Sequence, residues 1–268
     1  MNSIELAKKI RVISLQLAHD AKASHLGGAL SAADLLAVLY TDILLFDPKR
    51  ILWDERDRFL YSKGHACTAL YAVLQETGFF EKRFLDNFSK NGSVLTTHVN
   101  HSVPGVELST GSLGHALPIA CGMALAAKKK NMSYRVFVML SDGELDEGSN
   151  WEAFLFAAHH RLDNLTVIVD YNKIQSFGTT DEVIGLEPLA KKFESFRWDV
   201  KEVDGHDHNT IRNELKSVPY TPGKPSIVIA HTVKGKGVDF MEGKLMWHYK
   251  SPSSEQLEIA INQLENKT

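Results

Sequence analysis

The chain has 268 residues, 44% of them hydrophobic, with a formal net charge of −3. That length can bury a large core, and the near-neutral balance offers no electrostatic footprint for nucleic acid or an anionic membrane surface. No apolar run reaches membrane-spanning length, and the Met1-Asn2-Ser3-Ile4-Glu5 start has no signal-peptide pattern, so a cytoplasmic protein is expected.

The first third reads as helical. Ile4, Ile10, Ile13 and Leu17 recur at helical intervals within 3–24. Ser31-Ala32-Ala33-Asp34 resembles a capping box, with Asp for Glu, before the apolar run Leu35–Tyr40. Further helical patterns cover 66–77, 81–88 and 117–129, and a short strand precedes Gly64-His65. After residue 134 strands and helices alternate: strands near 136–140, 165–170, 198–203 and 226–230, helices near 149–162, 188–195, 208–217 and 253–265. This alternation predicts an α/β fold with a parallel sheet and helices on both faces, in one domain spanning 1–268. Cys67 and Cys121 sit in apolar helical contexts, without metal-ligand spacing, and read as small buried hydrophobes.

The chemistry gathers after two β-branched apolar runs, 135–140 and 165–169. The first ends in Ser141-Asp142-Gly143-Glu144 and the second in Asp170-Tyr171-Asn172-Lys173-Ile174. A helix pattern from Asn150 to Leu162 joins them, so both polar clusters stand at the carboxyl ends of buried strands. That edge of an open parallel sheet binds ligands. Aspartate and asparagine offer hard oxygen ligands suited to Mg²⁺ bridging phosphates, beside a helix N-terminus that favours anions. The alternative is a plain α/β unit whose Asp and Asn cap helices and turns.

Asp142-Gly143 followed about thirty residues later by Asn172 resembles the thiamine diphosphate motif. Ser141 replaces the usual first glycine, and Tyr171 the usual first asparagine. Three other strings are similar to the transketolase family: Ser24-His25-Leu26-Gly27, Ser62-Lys63-Gly64-His65, and the run from Pro104 through Gly111, Leu113 and Gly114 to His115. Thr232-Val233-Lys234-Gly235-Lys236-Gly237 and Trp247-His248 complete the pattern. The resemblance implies thiamine diphosphate with Mg²⁺, held by metal ligands Asp142, Asn172 and the Ile174 carbonyl. His65, Gly111, Leu113, Gly143 and His248 would line the cofactor, Gly143 lending a backbone N–H to the diphosphate. His25, His65, His98 and His248 fall at active-site positions, where histidine can move protons on sugar hydroxyls near neutral pH. His98 competes with the nearby His101 for its place. Glu147 matches a family glutamate linking two active sites, or else serves the dipole of the following helix with Glu144 and Asp146. His159 and His160 read as helix-surface or core residues, Gly205-His206-Asp207-His208 as a helix cap, and Lys234 and Lys236 as either cofactor-loop residues or solvated charges.

The matching residues are all of the diphosphate-holding type of domain. The resemblance therefore implies the N-terminal subunit of a split transketolase, moving a two-carbon ketol unit from a ketose to an aldose. A C-terminal, pyrimidine-binding subunit on a separate polypeptide and self-association of this chain are the implied partners, and sugars or sugar phosphates the substrates. The apolar stretches Leu117–Cys121 and Trp151–Phe156 are candidates for the interface. Rival readings are another thiamine-dependent subunit, of the deoxyxylulose-phosphate synthase or 2-oxo-acid dehydrogenase type, and a non-catalytic cofactor-binding partner.

Overall fold

A computed structural model describes residues 1–266. Five strands form one sheet in the order β1-β2-β3-β5-β4, every neighbouring pair parallel. They are β1 (Arg58–Tyr61), β2 (Val136–Ser141), β3 (Leu165–Tyr171), β4 (Asp199–Asp204) and β5 (Ser226–His231). Every residue of β2 and β3 is buried, which explains their unbroken apolar runs: a central parallel strand is covered on both faces. Burying one such Val, Leu or Ile contributes about 1.5–3 kcal/mol.

The helices are α1 (Ser3–Ala21), α2 (Leu26–Ser31), α3 (Ala33–Val38), α4 (Cys67–Glu76), α5 (Ala116–Lys129), α6 (Gly148–His159), α7 (Thr180–Val183), α8 (Leu189–Ser195), α9 (His208–Lys216) and α10 (Ser254–Asn266). Residues of α1, α3, α4 and α9 build a core with Phe137, Met139 and Ile168 of the sheet. Residues of α5, α6 and α8 build a second with Val136, Val138, Leu140 and Val167. Alternate strand residues thus point into opposite layers.

Three local expectations are corrected. Ser31 caps nothing: it ends α2, and its hydroxyl donates to Gly28 O at 3.1 Å and to Asp170 Oδ2 at 2.6 Å. The 81–88 segment is a 3₁₀ turn over Lys82–Asn87. The first helix stops at Ala21, where Lys22 turns left-handed (φ 51°). The two apolar stretches are divided between core and surface. Leu117, Cys121 and Phe154 are buried, leaving Ile119, Leu155 and Phe156 exposed at 39%, 60% and 40%.

Candidate functional site

Strand register assembles the pocket. Ser141 of β2 pairs with Asp170 of β3, so Asp142 and Asn172 leave adjacent strand ends. Tyr61 of β1 pairs with Met139 on one flank, and Tyr171 with His231 of β5 on the other. Four neighbouring strand ends therefore deliver His65, Asp142, Asn172 and Lys234. A cavity of about 370 Å³ lies among them, within the range of small-molecule sites. Its walls hold His25, His65, His98, Gly111, Leu113, Asp142, Gly143, Glu147, Asn172, Ile174 and His248, the whole set singled out from the sequence.

Four histidines ring one end. The His25 ring lies 5.3 Å from His65, 4.8 Å from His248 and 6.0 Å from His98, centroid to centroid. His101 is exposed outside the cavity, its Nδ1 against Ser109 Oγ at 2.8 Å, so the structure brings His98 and not His101 to the ring. Burial, then the neighbouring charges of His98 and Lys234, lower His25 to about 4. Burial, then Lys234 and His25, lower His248 to about 3. Burial, then Lys63, holds His65 well below its ordinary value. These rings are neutral at pH 7, each with one donor and one acceptor nitrogen. The tautomer of His248 is fixed: Lys234 Nζ, which only donates, faces Nδ1 at 3.0 Å, leaving the proton on Nε2 toward Ser176 Oγ at 3.1 Å.

The other end gathers oxygen donors around the strand ends. Asp142 is 2% exposed, and burial, then Asp170, push its carboxyl up to about 6. The Gly143 and Lys173 N–H groups donate to its two oxygens at 2.8 and 2.5 Å, which aims both oxygens and leaves lone pairs free. The Gly143 N–H, expected to face a diphosphate, is thus already engaged by Asp142. Asn172 Oδ1 accepts from Ile174 N at 3.2 Å, and the Ile174 carbonyl accepts from Lys234 Nζ at 2.7 Å. A buried anionic oxygen, an amide oxygen and a backbone carbonyl form a donor set suited to Mg²⁺ that still needs ligands from a phosphate or water. Among the described residues no group of three or more His, Cys, Asp or Glu side chains forms a metal site without such help. Glycine is required at 111, where φ is 141° and a Cβ would lie 2.6 Å from His98 Cδ2, so the backbone packs directly against that ring.

Beneath the cavity lies a polar layer that residue-by-residue sequence reading passed over. Lys63 is 1% exposed and ion-paired with Asp170, which is wholly buried; Lys63 also donates to Gly28 O at 2.9 Å. Ser31 and Thr232 donate to the same carboxylate. Glu144, also wholly buried, accepts from Ser62 and from Gly114 N, tying the Gly111–Gly114 turn to the strand ends. Lys234, left undecided between cofactor loop and solvent, is 3% exposed, and burial lowers it to about 8. The one signal for these residues was a charge placed at the end of an apolar run.

The other sequence candidates stand at the cavity rim or outside it. Glu147 is exposed at the cavity rim, in the N-cap position of α6 without a side-chain capping bond. His115 is exposed and absent from the cavity wall, and His159 and His160 are exposed at the end of α6. Asp207 caps α9 by accepting from Asn209 N at 3.0 Å, as a helix-cap reading expects.

Residues 3–263 match the family described as transketolase, thiamine diphosphate binding domain. The chain belongs to this family. It is 40% identical over 268 residues to one subunit of the apulose-4-phosphate transketolase of Phocaeicola vulgatus, covering 100% of this chain and 95% of that relative. It is 39% identical over 262 residues to a 6-deoxy-6-sulfo-D-fructose transketolase subunit of a Clostridium species, covering 97% of this chain and 95% of the relative. The crystal structure of transketolase from Campylobacter jejuni superposes with a TM-score of 0.93 at 32% identity, covering 99% of this chain but only 43% of that one. The transketolase of Leishmania mexicana behaves alike, with a TM-score of 0.92 and 41% of its chain covered. Against the solved transketolases the chain therefore spans less than half the length, and against the relatives named as subunits nearly all of it. Among the described residues no helix is long and apolar enough to cross a membrane.

Proposed function

We propose that the chain, as one domain, holds thiamine diphosphate and Mg²⁺ for a two-chain transketolase that moves a two-carbon ketol unit from a ketose to an aldose. The observation that carries this reading is the convergence of Asp142, Asn172 and the Ile174 carbonyl on one cavity with four histidines at its far end. Asp142, Asn172 and Ile174 O would ligate the metal, and the Gly111–Leu113 backbone and Gly143 would lie against the cofactor. The cofactor, when bound, supplies the nucleophilic carbon and the electron sink for breaking a C–C bond beside a carbonyl.

The chain's own part is proton handling and orientation. Neutral His25 and His65 can each accept a proton from a sugar hydroxyl on one nitrogen and donate from the other, and His98 stands beside them to hydrogen-bond the same chain. His248, protonated at Nε2, can serve there only as a donor. Desolvation around them strengthens each such contact. Glu147, exposed at the rim, would lie where a second copy of the chain approaches. Ile119 of α5 and Leu155 and Phe156 of α6 are exposed apolar side chains, and obligate interfaces are apolar. The similar proteins are named as transketolase subunits, which supports a separate partner chain. The sugars in those names support sugar phosphates or other anionic sugars as substrates.

The test is reconstitution. The purified chain with thiamine diphosphate and Mg²⁺ is assayed for ketol transfer alone, then with a C-terminal, pyrimidine-binding transketolase subunit added. Turnover only in the mixture supports the reading; full turnover by the chain alone contradicts the need for a partner.

A further inference from the structure

A second buried cluster lies behind the pocket, against α1. Asp34 accepts four bonds. Arg11 donates to Oδ1 at 3.0 Å and to Oδ2 at 2.5 Å, His206 Nδ1 stands 2.6 Å from Oδ2, and His208 Nε2 stands 3.0 Å from Oδ1. Side chains of Arg11, Asp34, His206 and His208 are 9%, 6%, 12% and 11% exposed. Burial raises the Asp34 carboxyl, but Arg11 and the two histidine bonds outweigh it and hold Asp34 well below its ordinary value.

The two histidines differ at their other nitrogen. His208 Nδ1 meets Ser3 Oγ at 2.8 Å, at the start of α1 and away from the pocket. His206 Nε2 accepts the backbone N–H of Val233 at 2.9 Å. An N–H can only donate, so Nε2 bears no proton and Nδ1–H donates to Asp34. Val233 directly precedes Lys234, whose Nζ reaches the Ile174 carbonyl and His248 Nδ1. The loop is pinned on either side by Thr232 N to Tyr171 O at 3.2 Å and by Gly235 N to Gly27 O at 2.9 Å. Among the described residues no backbone acceptor takes the Val233 N–H; the imidazole does.

We propose that His206 is a positioning residue for the Lys234 loop, linking the Arg11–Asp34 pair to the Val233 amide and so fixing where Lys234 stands over the Ile174 carbonyl and His248. It touches neither cavity nor ligand and acts through the backbone. The consequence for cofactor affinity rests on the pocket being the thiamine diphosphate site; the consequence for the loop does not.

Three variants of the full chain separate the possibilities. His206→Asn keeps an amide donor for Asp34 but is too short to reach Val233. His206→Gln carries an amide oxygen out to the ring-Nε2 position and can accept the Val233 N–H. His208→Asn is too short to reach Asp34, so it loosens the Asp34 cluster at least as much as His206→Asn does and leaves the loop alone. Hydrogen exchange of the 232–237 backbone should quicken in His206→Asn and stay near wild type in His206→Gln and His208→Asn. Titration with thiamine diphosphate and Mg²⁺, partner chain present, should show affinity weakened about five- to tenfold in His206→Asn alone, the scale of one lost hydrogen bond. Equal exchange in His206→Asn and His208→Asn would overturn the proposal, because the effect would then be general loosening of the Asp34 cluster. Exchange that follows the proposal in a wild-type chain that binds no thiamine diphosphate would leave His206's role standing and refute the cofactor reading instead.

Discussion

Replacing Lys63 by methionine tests the polar layer beneath the pocket. The Lys63–Asp170 pair is 1% and 0% exposed, so neither charge is screened by water. Lys63→Met keeps the side-chain length and removes the charge. Asp170 then retains the hydroxyls of Ser31 and Thr232 but no hydrogen-bonded cation. Breaking a buried pair from one side costs about 3–5 kcal/mol, a large part of the 5–15 kcal/mol that holds a typical domain together. Lys63→Met/Asp170→Asn removes the stranded charge while the amide still pairs with both hydroxyls. It should recover much of the loss, ending within about 2 kcal/mol of wild type. Urea unfolding of the wild type, both single variants and the double variant gives the coupling energy directly. A Lys63→Met loss below about 1 kcal/mol, or a double variant as unstable as the sum of the singles, would show that the pair is not the buried charge balance described.

Two further outcomes follow from the histidine ring. His25 and His248 sit near 4 and 3 in the folded chain, against 6.5 unfolded, so between these values the unfolded chain holds more protons. Their contribution to stability is therefore complete above about pH 6.5 and drains away as pH falls toward 4; Asp142, raised to about 6, opposes it over part of that window. His248→Gln should lose less stability than wild type between pH 7 and pH 5 in urea titrations, and equal losses would contradict the buried neutral state. In the reconstituted enzyme, His65→Ala should keep the thermal midpoint within a few degrees and lower kcat about 10²–10⁴-fold, the usual worth of one acid–base group; unchanged kcat would remove His65 from the chemistry.

The central strands were legible because they are buried on both faces, and nothing but a parallel α/β sheet explains two such runs ending in Asp142 and Asn172. The choice between His98 and His101 was open in the sequence, and only the fold shows that His98 sits in the ring while His101 does not. The break between α2 and α3 was not legible: Leu26–Val38 is buried throughout, so no polar face marks its turns. Ser31 was misread as a cap because its partner, Asp170, lies 139 residues away. Lys63 and Lys234 look like surface charges in one dimension, and only the sheet order shows that each is enclosed by the strand ends around it. The His206–Val233 bond spans 27 residues and two strand ends, and the short motif around His206 correctly announced only the Asp207 cap.

The central claim is that one cavity takes metal and diphosphate together through Asp142. Calorimetric titration of thiamine diphosphate into the chain with its partner subunit tests this most directly, for wild type and Asp142→Ala, with Mg²⁺ and with chelator. Wild type with Mg²⁺ should bind, while the chelator and Asp142→Ala should each abolish binding. Wild-type affinity in Asp142→Ala, or binding indifferent to the chelator, would contradict the account.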